Sequence, residues 1–532
     1  MARIAGNLAS EGLTTATEDR GSRVGLDPID RVFVMENHDQ AYHIWRDTGL
    51  KRRILIHIDA HHDMWWIKEP SALSIANFIC PALHEDIVKE IYWVVPDPAW
   101  ETARSRKPVL RHIRKLAGSY PGGPREIRVG SDQISTVVLG KPLRICPLAL
   151  LPQIDEPVLL DIDVDFLVIP LVSYGEGDTH GPLPWCWADD LIARLCASNI
   201  RTDLVTISYS IEGGYTPLKW KYLGDELALR LGRPNDCAPP IHGMSLIHEA
   251  ALAAHRGDLC TAEAKLLEAR EILPSSPAPS FHLSHLYVEM GRIGDARSCY
   301  QMALVLDPSY RTASSTAGLK YHSEGRLQAA EQEHRRMLAL DPHDACAHFG
   351  LGRIAARQKR WEEAEGWLRR SLMLNGHLID AYRSLGDVLV KQGRHDEAMM
   401  AYERSLQLAL SGHKPLERPI ARYGEEVCVT DPDHCRIHAR RARLYELKGE
   451  VSEAINGYRI SIAGGYDGVL LRSRLAHLFL RQRQWRRAAK EVWEAGRLIP
   501  AALRTVSHLI LQRIQFGIKD GLQALLAPWG QR

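Results

Sequence analysis

The sequence predicts two units of different grammar, an α/β unit on a mostly parallel sheet followed by an all-helical repeat solenoid. Three observations carry this. Short β-branched runs alternate with helical stretches between about residues 31 and 232. Acidic clusters follow two of those runs. Further on, turn and small residues recur every 34 positions. Strand–helix alternation favours a sheet covered on both faces, and such sheets bind ligands beyond the carboxyl ends of their strands.

The elements follow in order. Residues 1–30 are polar and rich in Gly, Thr and Ser, and read as a loose lead-in. The α/β unit spans 31–232, with strands expected at 32–35, 53–59, 91–95, 158–165 and 204–209. Helices are expected at 40–48, 81–89 and 188–197. A Pro-rich stretch places a linker at 233–242. Beyond it, Pro274, Pro308 and Pro342 keep the 34-residue step, as do Ala262, Ala296, Ala330, Ala364 and Ala398. Gly257, Gly291 and Gly325 keep it too, with Gly393 two periods on.

Bulk composition narrows the function. A chain of 532 residues exceeds one core. Hydrophobic content of 45% and charged content of 25% are ordinary for a soluble protein. A net charge of +2 argues against a general nucleic-acid binder. No run of about 18 apolar residues exists, so no membrane span is expected. The start lacks a signal-peptide core. The ten cysteines contain no Cys-x-x-Cys pair and read as reduced thiols of the cytoplasm, which disfavours a cysteine zinc site.

The chemistry concentrates in two motifs. Ile56-His57-Ile58-Asp59-Ala60-His61-His62-Asp63 and Asp161-Ile162-Asp163-Val164-Asp165 both end apolar runs. Side chains two apart on an extended chain share a side, so Asp59, His61 and Asp63 are expected to converge, and Asp161, Asp163 and Asp165 likewise. Converging carboxylates repel unless cations lie among them. The expected object is a metal site, with helix-capping aspartates as the plainer alternative. Oxygen-rich ligation with few histidines suits Mn²⁺, with Fe²⁺ or Co²⁺ as substitutes.

These motifs resemble the arginase and agmatinase superfamily of ureohydrolases. Asp59-Ala60-His61-His62-Asp63 matches its Asp-Ala-His-x-Asp form, and 161–165 matches Ser-x-Asp-x-Asp with Asp161 in place of Ser. Glu36-Asn37-His38-Asp39 matches its first-ligand segment without the usual glycines. The set is similar to a branch that includes bacterial peptide arginases, and the resemblance covers about 31–232. It implies an arginase-like fold and two Mn²⁺ ions held by His38, Asp59, His61, Asp63, Asp163 and Asp165. One ion would take His38 and Asp63, the other His61 and Asp165, with Asp59 and Asp163 bridging. It further implies hydrolysis of a guanidinium to urea, with Asp165 or Asp163 relaying a proton. Glu212 would bind the guanidinium, Asn77 would contact substrate, and His180 or His84 would shuttle protons. Asn77 reads equally as a helix cap, and Glu212 as a solvated loop residue. His57 and His62 read as ligand-orienting or as plain core histidines; Asp161 reads as an acceptor for a ligating His or as a strand-end cap.

The 34-residue period resembles the tetratricopeptide repeat, a helix-turn-helix unit. Five repeats are expected at 243–276, 277–310, 311–344, 345–378 and 379–412. An insertion at 413–434 breaks the phase, two more repeats follow at 435–468 and 469–502, and 503–532 reads as a capping helix and tail. Lys359 and Arg483 stand where Gly is usual. Such arrays offer concave grooves for peptides or proteins. Arg436, Arg443 and Arg481 on that face would favour an acidic peptide segment, or else form a solvated basic face. The expected protein is therefore a peptide arginase whose repeats bind its peptide or a partner protein. The rivals are an amidino- or amidohydrolase or deacetylase on a small molecule, and a non-catalytic scaffold with a degenerate hydrolase half.

Overall fold

The computed structural model describes residues 29, 31–65, 73, 75–119, 126–172, 181–211, 215–232, 239–311, 318, 321, 322, 325–411 and 432–498. The lead-in apart from Ile29, the insertion up to 431, the 503–532 segment, His180 and Glu212 lie outside the described residues.

Eight strands form one sheet: β1 (Val32–Met35), β2 (Arg53–Ile58), β3 (Val88–Val95), β4 (Arg128–Val129), β5 (Ile134–Val138), β6 (Lys141–Pro147), β7 (Val158–Asp163) and β8 (Thr202–Ser208). Their order is β1-β8-β7-β2-β3-β6-β5-β4. Pairing is parallel from β1 through β6 and antiparallel for β6-β5-β4. The sheet is thus mixed, with an antiparallel edge that the sequence reading did not anticipate. A two-residue turn makes that edge: Leu139 and Gly140 both take positive φ (49° and 76°), which matches the twist of the flanking strands.

Six helices accompany the sheet: α1 (Gln40–Asp47), α2 (Ile79–His84), α3 (Ala103–Ser119), α4 (Asp165–Val168), α5 (Ala188–Ala197) and α6 (Tyr222–Gly232). One sheet face buries Leu55, Leu159 and Leu204 against Trp45 of α1, Phe78, and Val109 and Ile113 of α3. The other buries Ile56, Ile162 and Ile207 against α5 and α6. Three expectations shift. β2 stops at Ile58, before the turn that holds His61 and Asp63, and β7 at Asp163, before the helix that Asp165 opens. The helix expected at 81–89 is α2, and Val88–Lys89 belong to β3, where pairing with β2 and burial of Val88 override local helix preference.

The repeats are helix pairs: Pro239–His255 with Leu259–Ile272, Pro277–Glu289 with Ile293–Leu306, Ala345–Arg357 with Trp361–Leu374, Ile379–Lys391 with His395–Leu410, and Pro432–Lys448 with Val451–Ala463. Leu327–Leu340 is the second helix of the third repeat, and Val469–Arg481 opens the last, with 485–498 helical after it. The first helix takes in the last four residues of the expected linker. The small residues at the repeat step, Ala262, Ala296, Ala330, Ala364 and Ala398, are wholly buried and let the paired helices close up. Gly257, Gly291, Gly325, Gly393 and Gly449 turn between helices at φ of 75–83°. Lys359 and Arg483 take the same left-handed turn at 62° and 57° without being glycine.

The two units share a core. Trp220, Tyr222, Leu223 and Leu227 lie in one buried cluster with Met244, Ile247, Phe281 and Tyr310 of the first repeats. Polar ties reinforce it. Lys221 Nζ reaches Asp307 at 2.6 Å and Ser309 at 2.8 Å, Glu226 pairs with His248 at 2.8 Å, and His282 Nε2 lies 2.8 Å from the Lys219 carbonyl.

Candidate metal centre

The carboxyl ends of β1, β2, β7 and β8 meet, and each delivers part of one polar cluster. β1 leads into His38, β2 into Asp59 and the turn holding His61 and Asp63, and β7 ends on Asp163 with Asp165 opening α4. Strand alternation accounts only for Asp161 and Asp163 of β7, which both meet His38. Asp59 accepts from the His61 backbone N–H at 2.6 Å, and Asp63 sits at φ 48°, so a tight turn folds the motif on itself. Asp163 Oδ1 likewise accepts from the Asp165 N–H at 2.9 Å.

Two groups result. His38 Nδ1 lies 3.2 Å from Asp59 Oδ2, 3.4 Å from Asp63 Oδ2 and 3.1 Å from Asp163 Oδ2. His61 Nδ1 lies 3.3 Å from Asp59 Oδ1 and 2.9 Å from Asp165 Oδ2. Asp59 turns one oxygen to each group. Asp163, expected to bridge as well, faces the first group alone, since one oxygen is held by the backbone and the other accepts from Ser210 Oγ at 2.5 Å. His61 and Asp63 are the members that reach solvent, with side chains 25% and 12% exposed, so access is from their side.

The electrostatics are those of crowded anions. Asp165 is pushed well above the usual carboxylate range by burial and by Asp163 and Asp59. Burial and Asp59 raise Asp63 to about 6. Burial would raise Asp59 too, but the imidazoles of His38, His61 and His57 around it hold it low. Burial would depress His38, yet Asp161, Asp163 and Asp59 outweigh it and raise the imidazole well above its ordinary value. His57 is raised in the same way, chiefly by Asp161 and Asp59 against burial. His38 Nδ1, Asp59 Oδ2 and Asp165 Oδ1 are nevertheless buried without a hydrogen bond. Buried N and O donors left in this state, within reach of one another, fit divalent cations. His38, His57 and Asp59 also come close enough to share an ion, as do Asp59, His61 and Asp165. His57 faces the first group through Nε2, 3.4 Å from Asp59 Oδ2 and buried without a hydrogen bond, while Asp63 and Asp163 add the negative charge a divalent ion needs.

The other expected residues fall differently. Phe78, beside Asn77, packs its ring 4.6 Å from that of His38, so Asn77 lies next to the cluster. His84 does not. It ends α2, which runs back to the amino end of the strands, where Asp86 and Ile87 pair with the start of β2; a proton shuttle at His84 is excluded by that placement. His180 and Glu212 are outside the described residues, though on either side of 212–214 Ile211 N–H donates to Glu36 at 3.0 Å and Tyr215 meets the His61 ring at 5.0 Å. His62 orients no ligand: it packs against Trp65 and Trp93 and accepts from the Met64 N–H. His57 does serve the cluster, through Asp161. Sequence reading missed Ser210, Thr206 and Tyr215; the polar Thr206 and Ser208 alternating in β8, with Ser210 just after it, were the available signal.

Of the groove arginines, Arg443 pairs with Glu446 at 2.8 Å and Arg436 lies over Tyr466. Arg440 joins Asp387 on the first helix of the preceding repeat at 2.7 Å. Among the described residues no helix is long and apolar enough to cross a membrane.

Tetratricopeptide-repeat family models match residues 282–345 and 343–411, and this architecture supports a protein-binding scaffold role. No curated protein matches the chain. Similar solved structures include pilF of Pseudomonas aeruginosa, at 19% identity over 41% of this chain and 90% of that one, with a TM-score of 0.23. YrrB, described as a tetratricopeptide-repeat protein with an unusual peptide-binding site, shares 20% over 39% and 95%, with a TM-score of 0.26. A tetratricopeptide-repeat protein of Parabacteroides merdae shares 18% over 48% and 92%, with a TM-score of 0.26.

Proposed function

We propose that this chain, whose repeats are of tetratricopeptide type, is a binuclear metal-dependent hydrolase that converts peptidyl arginine to ornithine and urea. The observation that carries the reading is the division of six side chains into two groups around Asp59. His38, Asp59, Asp63 and Asp163 would hold one ion, and His61, Asp59 and Asp165 a second. Two Mn²⁺ ions, when bound, supply Lewis-acid activation of water near neutral pH. Their four positive charges balance the four carboxylates.

The chain's own residues do the rest. The 25% exposure of His61 and the ring of Tyr215 beside it mark where a substrate side chain enters. Asp165, 2.9 Å from His61, is placed to take a proton from water and return it to the leaving amine. Burial of the cluster under Phe78 and Trp93 keeps bulk water from competing. The shared core fixes the repeats relative to the centre, so a peptide held by the array meets it at a constant distance, which raises the local concentration of its arginine. Arg436 and the exposed Arg481 would favour an acidic segment there.

The test is mass spectrometry of an arginine-containing peptide incubated with the protein and Mn²⁺, beside free arginine. Loss of one CH₂N₂ unit from the peptide, with urea released, is the expected result. Turnover of free arginine alone would select the small-molecule hydrolase. No turnover with no metal uptake would leave a binding scaffold.

A further inference from the structure

Resting on the two-ion reading above, we propose that Asp161 is a positioning residue that fixes which nitrogen His38 turns toward the first ion. It stands where the resembled motif has Ser, and the sheet explains what a carboxylate can do there. Asp161 on β7 is in register with His57 on β2 and with Thr206 on β8. Parallel neighbours lie about 4.8 Å apart, so these side chains meet directly on one sheet face.

Asp161 Oδ2 lies 2.8 Å from His57 Nδ1 and 2.8 Å from His38 Nε2. Its Oδ1 accepts from Thr206 Oγ1 at 2.5 Å, and that hydroxyl accepts from Trp45 Nε1 at 3.2 Å. Asp161, His57, Thr206 and Trp45 are all wholly buried. A carboxylate only accepts, so both imidazoles must turn an N–H toward it. His38 then carries its hydrogen on Nε2, and its Nδ1 is left as the lone pair facing Asp59, Asp63 and Asp163. Phe78 holds the plane of the ring. A serine hydroxyl could donate as well as accept and would leave the tautomer open. Fixing a ligand's tautomer through its second nitrogen is how an outer partner raises metal affinity.

The experiment uses the full chain. Mn²⁺ uptake is titrated for the wild type and for Asp161→Asn, which keeps the shape but offers an N–H₂ where only acceptors stood. The variant is expected to bind one ion about 10–100-fold more weakly, with the other unchanged. In parallel, ¹⁵N-histidine NMR of the Zn²⁺-loaded wild type, with the His38 signal assigned from His38→Gln, is expected to show Nδ1 on the metal and hydrogen on Nε2. That measurement stands even where Asp161→Asn fails to fold. Equal uptake by both proteins, or Nε2 of His38 on the metal, overturns the proposal alone. A wild type that takes up fewer than two ions overturns the hydrolase reading and this proposal together.

Discussion

At the scale of single residues, the centre is a set of anions that the fold brings together against their repulsion. Divalent ions bound as proposed would relieve that repulsion, so their removal is expected to have a stability consequence. Chelation with EDTA is expected to lower the melting temperature, and Mn²⁺ to restore it in proportion to occupancy. Asp165→Asn is expected to cut bound manganese from two equivalents to one and to lower peptide turnover by at least about 100-fold. Metal analysis beside the activity assay checks both, and two retained ions would remove Asp165 from the ligand set. A different buried group contributes to the acid sensitivity of the repeats. His334 is wholly buried with neither ring nitrogen hydrogen-bonded, and burial together with Arg353 lowers it to about 4. The unfolded chain, near 6.5, binds the proton more readily. The stability this neutral imidazole permits is therefore complete above pH 6.5 and is lost as pH falls toward 4. Urea unfolding is expected to show about 2 kcal/mol less stability at pH 5 than at pH 7 from this residue. His334→Leu, matching Leu368 one repeat on, should remove that share; an unchanged pH dependence would rule His334 out as the cause.

At the scale of elements, the repeat turns carry two conspicuous exceptions. Lys359 and Arg483 hold the left-handed conformation that glycine holds in the other turns, at a cost of about 1–2 kcal/mol each for an L-residue. Lys359→Gly and Arg483→Gly are each expected to raise unfolding stability by up to about 1 kcal/mol once the looser unfolded chain is counted, read as a higher denaturation midpoint. A lower midpoint would show that the long side chains hold the turns. Close helix approach follows the same logic. A Cβ on Gly350 would come within 2.0 Å of the His334 ring, and one on Gly386 within 2.4 Å of Tyr402, so these positions set how tightly neighbouring helices pack.

At the scale of the whole molecule, the two units are not independent. The face of α6 that packs on the first repeats includes Tyr222, Leu223 and Leu227, with Trp220 just before it. A fragment ending at residue 232 would expose that surface. It is expected to unfold at lower urea than the full chain and to bind a hydrophobic dye. Equal midpoints would show that the sheet unit folds on its own core. On the proposed reading, the shared core would hold the repeats at a fixed distance from the centre.

The sequence alone determined the repeat period and the small residues at each helix contact, and it pointed to the histidine and aspartate motifs at the strand ends. Periodicity and local motif chemistry are written in neighbouring residues. Tertiary structure decided the rest. The distant placement of His84, the entry of Thr206 and Ser210 into the cluster, and the sharing of Asp161 by two histidines all depend on strand order. Strand order juxtaposes residues more than a hundred positions apart, and no local pattern encodes that register.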